Sequence, residues 1–376
     1  MQDHGPQRTP GEAIKAELDR RCLTQADLAR LMGRYSPEIN NIISGKRSVT
    51  PEIAIELAAA LDGTTPEYWL GLETARQLSL LPQDASEIKK RVRLYQLGPI
   101  REMERRGWIP DTGGDPIRLE AELCRFFSVD SLDSDPPIVV SARKSNPNAP
   151  LDKYQRAWCA RARQLSIALP HGGFEDRRMV SLKRDLRLLA AYPAEARRVS
   201  DVMREHGIRF IVVKHLPGSK VDGAAFWLDE RSPAIAVSLR LDRNDKFWFT
   251  LMHECAHIEH HDAISIDADM GHEEREQPRM KEAAERRADE DAAAVLVPPE
   301  ELESFIRRIG PIYAKPNIIQ FAHRIKMHPG IIVGQLQHRA EIKFGAHQEM
   351  QPKIRAHVIS TALTDGWGVE LAPGSI

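Results

Sequence analysis

The stretch FWFTLMHECAHIEHH, Phe247 to His261, sets four histidines and two glutamates in an apolar frame of Phe247, Trp248, Phe249, Leu251 and Met252. Such histidines are either satisfied core groups or ligands. His253 and His257 stand at i and i+4, which on a helix places them on one face. Two imidazoles at that spacing can hold one Zn²⁺ and leave coordination positions open. Glu254 is rotated by one residue. It reaches a water beside the ion without being a ligand, and can take that water's proton as attack occurs.

HExxH alone recurs by chance, so the reading needs a third ligand. Downstream, KEAAERRADEDAAAVLVPPEEL reads as a helix that turns apolar, and it contains Glu285 and Asp289, again i and i+4. One carboxylate can complete a two-histidine, one-glutamate site. The other can accept the free N–H of a ligating imidazole and fix its tautomer. Glu285 is the expected ligand. Glu282, His260, His261 and Asp262 compete for the place. On a straight helix His260 would splay away from a tetrahedral centre shared with His253 and His257. His260 and His261 are expected at a polar helix end, where the dipole favours imidazolium. A metzincin would need histidine at 263, which is Ala263. Cys255 points off the metal face and is expected as a buried structural thiol. HExxH followed by ExxxD is the gluzincin arrangement of thermolysin-like enzymes.

The elements around these residues are legible in outline. SLKRDLRLLAAYPAEARRVSDVMREHG reads as two helices, and IRFIVVKHL, GAAFWL and AIAVSL as short strands of a small sheet, expected antiparallel. FTLMHECAHIEHH, ERRADEDAAAVLVP and IIQFAHRIKMHPGIIVGQLQH resemble the ImmA/IrrE family of metallo-endopeptidases over roughly residues 182–345. The resemblance implies a zinc-dependent fold associated with cleavage of Xre-type repressors. It implies His253, His257 and Glu285 as zinc ligands, Glu254 as general base and Asp289 behind a ligating histidine. Where the family often has Asn, this chain has Asp289. Where it usually has an aromatic residue, this chain has Asp291, whose charge needs water or a partner. His338, near the end of the segment, is a candidate oxyanion stabiliser beside its plainer reading as a surface histidine.

The first eighty residues carry a different chemistry. Thr9-Pro10, Ser36-Pro37, Thr50-Pro51 and Thr65-Pro66 repeat a cap-then-proline helix start, and Thr24 precedes QADLARLMG with Asp27 three residues on. Within them QADLARLMGRYSPEINNIISG has the rhythm of a helix-turn-helix. Ala29 is small at the crossing, Gly33 suits a left-handed turn, and Ile39, Ile42 and Ile43 form one buried face. The other face offers Tyr35, Ser36, Asn40, Asn41 and Ser44 to base edges in the major groove, where Asn suits adenine. Arg34, Lys46 and Arg47 flank it as phosphate grips, and Gln25 can join them. The plainer reading is a helical dimerisation bundle with solvated polar groups. PGEAIKAELDRRCLTQADLARLMGR, INNIISGKRSVTPEIAIELAAALDG and TPEYWLGLETARQL resemble the HigA-type antitoxin branch of the Xre helix-turn-helix family over roughly residues 8–80. That resemblance implies a homodimer on a palindromic operator, with a toxin as a further possible partner.

The expected organisation is α+β and mainly α. A helix-turn-helix domain (1–80) leads through a helical connector (81–181) to a gluzincin-like domain (182–345), followed by a loose extension (346–376). In the connector, Arg143, Lys144, Arg161 and Arg163 read as a solvated helix face, with a second nucleic-acid surface as the alternative. The length of 376 residues fits two or three domains, and a net charge of −1 advertises neither nucleic acid nor membrane globally. No apolar run suggests a signal peptide or a membrane span. Four cysteines, Cys22, Cys124, Cys159 and Cys255, lie far apart without CxxC, as expected of thiols in a reducing cytoplasm. Two functions remain: a DNA-binding regulator with a working zinc endopeptidase that cuts a repressor or its own chain, and an antitoxin-type repressor whose metal domain senses or scaffolds.

Overall fold

The computed structural model describes residues 8–81, 85–132, 141–142, 151–170, 172–262 and 277–367, with backbone alone for 141–142 and 277–282. The chain divides into two compact units, Met1–Lys89 and Lys90–Ile376.

The first unit packs α1 (Pro10–Arg20), α2 (Gln25–Leu31), α3 (Ser36–Ile43), α4 (Pro51–Ala60) and α5 (Pro66–Leu80). Thr9 with Glu12 and Thr24 with Asp27 close full capping boxes, and Thr50 and Thr65 each accept a backbone N–H of the first turn. These bonds satisfy donors that a helix start leaves open. One start differs from the sequence reading. Tyr35, not Ser36, is the N-cap of α3, and it makes no side-chain cap bond. Gly33 takes φ +65°, and the next N–H, of Arg34, returns to the Ala29 carbonyl at 2.9 Å, closing the turn between α2 and α3. Ile14, Leu28, Ala29, Ile39, Ile42, Ile53, Leu57 and Trp69 share one core. At Gly11 a Cβ would stand 1.9 Å from the Ile43 carbonyl oxygen, so α1 crosses the end of α3 at a distance only glycine permits.

The second unit is a sheet covered by helices on both faces. In chain order its elements are α6 (Ser86–Leu97), α7 (Ile100–Arg105), α8 (Pro116–Phe127), β1 (Ser141–Ala142), α9 (Lys153–Ile167), α10 (Met179–Leu189) and α11 (Val199–Glu205). There follow β2 (Arg209–Val213), β3 (Gly223–Trp227), β4 (Pro233–Val237), α12 (Asn244–Glu259), α13 (Gln277–Leu296), α14 (Pro299–Ile309), α15 (Lys315–Arg324), α16 (Pro329–His338), α17 (Arg355–Val358) and β5 (Leu363–Asp365). Strand side chains alternate between two cores, as the pleat requires. Ile211, Val213, Ala224, Phe226, Ala234 and Ala236 meet α6–α9. Phe210, Val212, Ala225, Trp227, Ile235 and Val237 meet the helices from α10 onward.

The sheet runs β1-β3-β4-β2-β5 and is mixed, not antiparallel. β3 pairs β4 as a hairpin, while β2 lies parallel to β4 and to β5. β2, β3 and β4 are buried along their whole length. Parallel pairing is at home where both faces are covered.

Two segments have more structure than their sequence suggested. From Lys90 onward the supposed connector belongs to this unit. Trp158 of α9 donates to the Val213 carbonyl at 2.9 Å, and Arg161 binds Asp365 at 2.6 Å. Arg161 is therefore half-buried in an ion pair, not part of a solvated face; Arg143 and Lys144 lie outside the described residues. Residues 346–367 are no loose extension. They carry α17 and β5, and Asp242 accepts the backbone N–H of Ile354 and Arg355 at 2.9 and 2.8 Å. Among the described residues no helix is long and apolar enough to cross a membrane.

The close crossing at Gly11 gives a paired test. Gly11→Ala forces backbone against backbone and should destabilise the first unit by about 1–3 kcal/mol. Gly71→Ala on α5, with open space around the new methyl, should stabilise it by up to about 1 kcal/mol. Hydrogen exchange of peptides from residues 10–70 in the full chain reads both. Equal protection in the two variants would refute the contact.

Candidate metal centre and nucleic-acid face

α12 is fixed before any chemistry is considered. Phe247, Trp248, Leu251, Met252, Cys255 and Ile258 bury in the core that the sheet shares with the helices from α10 onward, and the Trp248 indole donates to Asn244 Oδ1 at 3.1 Å. Burial pushes the Cys255 thiol up, out of nucleophilic range. α13 packs alongside α12 with Ala288, Ala292 and Leu296 fully buried. Residues as small as alanine let the two helices approach closely. On the other side, a Cβ on Gly223 of β3 would stand 2.7 Å from Thr250 Cγ2 and 2.8 Å from Glu254 Oε1. The sheet thus leaves glycine's extra space where α12 presents Glu254.

That packing gathers the polar groups. His253, Glu254 and His257 are 1, 0 and 1 % exposed. Nε2 of His253 and Nε2 of His257 are 3.1 Å apart. The Glu285 carboxylate of α13 lies 3.3 Å from the first and 3.8 Å from the second. One ligand atom from each of the three falls within 4.8 Å of the others. Behind His253, Nδ1 meets Asp289 Oδ1 at 2.9 Å. A carboxylate only accepts, so Nδ1 carries the proton and Nε2 turns a lone pair inward. Burial, and then the neighbouring His253, bring the His257 pKa down to about 4, so this imidazole is neutral at neutral pH.

Two imidazole nitrogens and a carboxylate, gathered in one spot, are the donor set of an open zinc site. The residues present fit such an ion.

The competing residues have other work. His260 Nε2 is 2.6 Å from Asp291 Oδ2, so the charge standing where an aromatic residue was expected has its partner. Glu259 joins these two in a second acidic–histidine group, but Lys183 holds it at 2.6 Å. His261 binds Asp176 at 3.1 Å and stacks on Trp227. Asp262 is bound by Arg287. The Glu282 side chain lies outside the described residues. His338 is not brought into the cluster. It sits exposed at the end of α16, its ring 6.0 Å from that of Phe249, which is 6.5 Å from that of His253. Phe249, Leu296, Ile331, Gly334 and His338 line a groove there. Sequence reasoning missed Gly223, whose only signal was a glycine opening a strand, and the Arg287–Asp262 pair, which depends on how α12 meets α13.

In the first unit, the face of α3 opposite its isoleucines is open. Gln25, Tyr35, Ser36, Asn40, Asn41, Ser44, Lys46 and Arg47 are exposed. Arg34 is the exception among the expected phosphate grips. It is half-buried, with Nη2 3.0 Å from Glu56 Oε1, and it holds the Glu56 carboxyl below its usual range. A guanidinium so bound ties α4 to the turn before α3. Arg47 also meets an acid, Glu38 at 3.0 Å, though it stays largely exposed.

Comparison with known proteins finds a match within each unit. Residues 14–69 match the helix-turn-helix family model, and residues 204–341 match the IrrE N-terminal-like domain of peptidase family M78. The HTH-type transcriptional regulator YddM of Escherichia coli strain K12 is 33% identical over 70 residues, 19% of this chain and 73% of that protein. Antitoxin HigA-1 of Vibrio cholerae serotype O1 is 42% identical over 69 residues, 18% of this chain and 64% of its own length. Virulence-associated protein A' of Dichelobacter nodosus is 28% identical over 78 residues, 21% and 68% of the two chains. The chain therefore belongs to the Xre-type helix-turn-helix regulators, and it carries behind that DNA-binding domain the IrrE N-terminal-like domain of a metallopeptidase family.

Proposed function

We propose that this regulator reads a palindromic operator as a homodimer and carries a zinc-dependent endopeptidase whose substrate is a protein, either a repressor or the chain itself. The observation behind the hydrolase half is the meeting of His253, His257 and Glu285 in one buried cluster. A zinc ion bound there supplies Lewis acidity to a peptide carbonyl and to the attacking water. The chain's residues supply the rest. Asp289 keeps the His253 tautomer and ring orientation. Burial keeps His257 unprotonated. Glu254 takes the proton of the attacking water and delivers it to the departing amide nitrogen. Its place between α12 and Gly223 excludes bulk water from that carboxylate.

In the DNA half, Asn40 and Asn41 with Tyr35, Ser36 and Ser44 reach base edges, and Lys46, Arg47 and Gln25 meet phosphates. The match to an antitoxin favours a second reading, in which the chain represses as an antitoxin beside a toxin partner and its metal domain senses or scaffolds without turnover.

Metal analysis of the purified chain should give about one zinc per chain, lost in His257→Ala. Glu254→Gln should keep the zinc and lower cleavage, followed by mass spectrometry of new termini, by about 10²–10⁴-fold. If that variant leaves every regulatory phenotype intact, the second reading replaces the first. On the operator, Asn40→Ala and Asn41→Ala should each cost about 1–3 kcal/mol and relax sequence preference. Lys46→Gln should lower the salt dependence of binding by about one phosphate contact, whereas Arg34→Gln should leave it unchanged because its charge is spent on Glu56. A salt slope that falls with Arg34→Gln would show that the guanidinium leaves Glu56 for DNA.

A further inference from the structure

Two carboxylates flank the imidazole pair, and only Asp289 has a role so far. On the other ring, Nδ1 of His257 is sealed from solvent with no hydrogen-bond partner among the described residues. The group facing it is the Asp262 carboxylate, with Oδ2 at 3.8 Å. Asp262 is firmly placed. Its N–H donates to the His257 carbonyl at 3.0 Å, at the end of α12. Both of its oxygens accept from Arg287 Nη2, at 2.7 and 2.6 Å. Arg287 stands on α13, two residues beyond Glu285.

We propose that Asp262 is the positioning residue of His257, held against that ring by Arg287, so that each imidazole of the metal centre has its own carboxylate behind it. When Nε2 of His257 turns its lone pair inward, Nδ1 must carry the proton. A buried N–H needs an acceptor, and Asp262 is the acceptor in reach. The gap is about 1 Å beyond a hydrogen bond. A small ring rotation or a bridging water closes it. The Arg287 guanidinium keeps the carboxylate from swinging to solvent. It also ties the orientation of a ligand on α12 to the helix that supplies Glu285.

The rival account is that Asp262 and Arg287 only fasten the two helices together. The structure offers an internal control. His260 and Asp291 make another ion pair between the end of α12 and α13, 2.6 Å long, that touches no expected ligand.

The inference rests on the zinc reading of the site, and the experiment separates the two. The full chain, stripped of metal, is titrated with Zn²⁺ against a chromophoric chelator. It is then loaded with Co²⁺, whose visible absorption reports ligand geometry. Asp262→Ala should bind Zn²⁺ about 10–100-fold more weakly and alter the Co²⁺ spectrum. Asp262→Asn, which keeps size and an acceptor oxygen, should fall between it and the parent and guards against a folding failure. Arg287→Gln should lose affinity in the same direction but less. Asp291→Asn should stay within about twofold of the parent. Asp262 variants as tight as the parent, or an Asp291→Asn loss equal to that of Asp262→Ala, would overturn the assignment of Asp262 alone. A parent chain that binds neither metal would overturn the zinc reading and this inference with it.

Discussion

The second unit depends on the side-by-side packing of α12 and α13. Neither helix holds a metal site by itself: α12 brings two imidazoles, and α13 brings one carboxylate to face them and another to stand behind the first ring. Alanines at 288 and 292 bring the rods close enough for the Glu285 carboxylate to face both Nε2 atoms, one oxygen to each. Ion pairs at Arg287–Asp262 and His260–Asp291 brace the same contact from its polar side. The apolar side is braced by a core into which α12 sinks five large side chains. A helix seated this firmly can present buried histidines in fixed positions, which isolated residues on a surface could not.

The sheet completes the arrangement from the opposite direction. Its strands are buried on both faces, so it serves as a rigid partition between two helical layers. Gly223 is the point at which that partition gives way to admit Glu254. The proposed general base is thus placed by an absence of side chain, while the proposed ligands are brought together by small side chains on α13. The first unit follows a parallel logic. Three isoleucines and Gly11 lock α3 into its bundle, and its polar residues are left outward. Arg34 shows the limit of that logic, since a basic residue in the turn before α3 is taken by Glu56 of α4.

Several features were legible in the residues themselves. Periodicity and caps marked α1 to α5, because Thr-Pro pairs and capping boxes act within four residues. HExxH and ExxxD marked the ligand faces of two helices, because i and i+4 positions coincide on any α-helix. The sheet was legible as strands but not as an arrangement. β2 after Arg209, β3 and β4 are apolar runs, and such runs do not reveal which neighbour each will take. Residues 346–367 looked loose because β5 is three residues long, and its stability comes from β2 and from Arg161. His338 looked able to reach the site because the sequence does not show which part of α16 packs on α12; it lies exposed at the end of that helix.

The sequence by itself determined the local chemistry: which side chains share a helix face, where helices begin, and that two imidazoles and two carboxylates were available in the right order. Only the tertiary structure decided which groups meet. The partner of His260, the burial of Arg34 against an acid, the glycine beneath Glu254 and the grip of Arg287 on Asp262 all join residues from different elements. Their distances are set by side-chain volumes and packing across the interface between those elements, and no spacing along one chain segment encodes them.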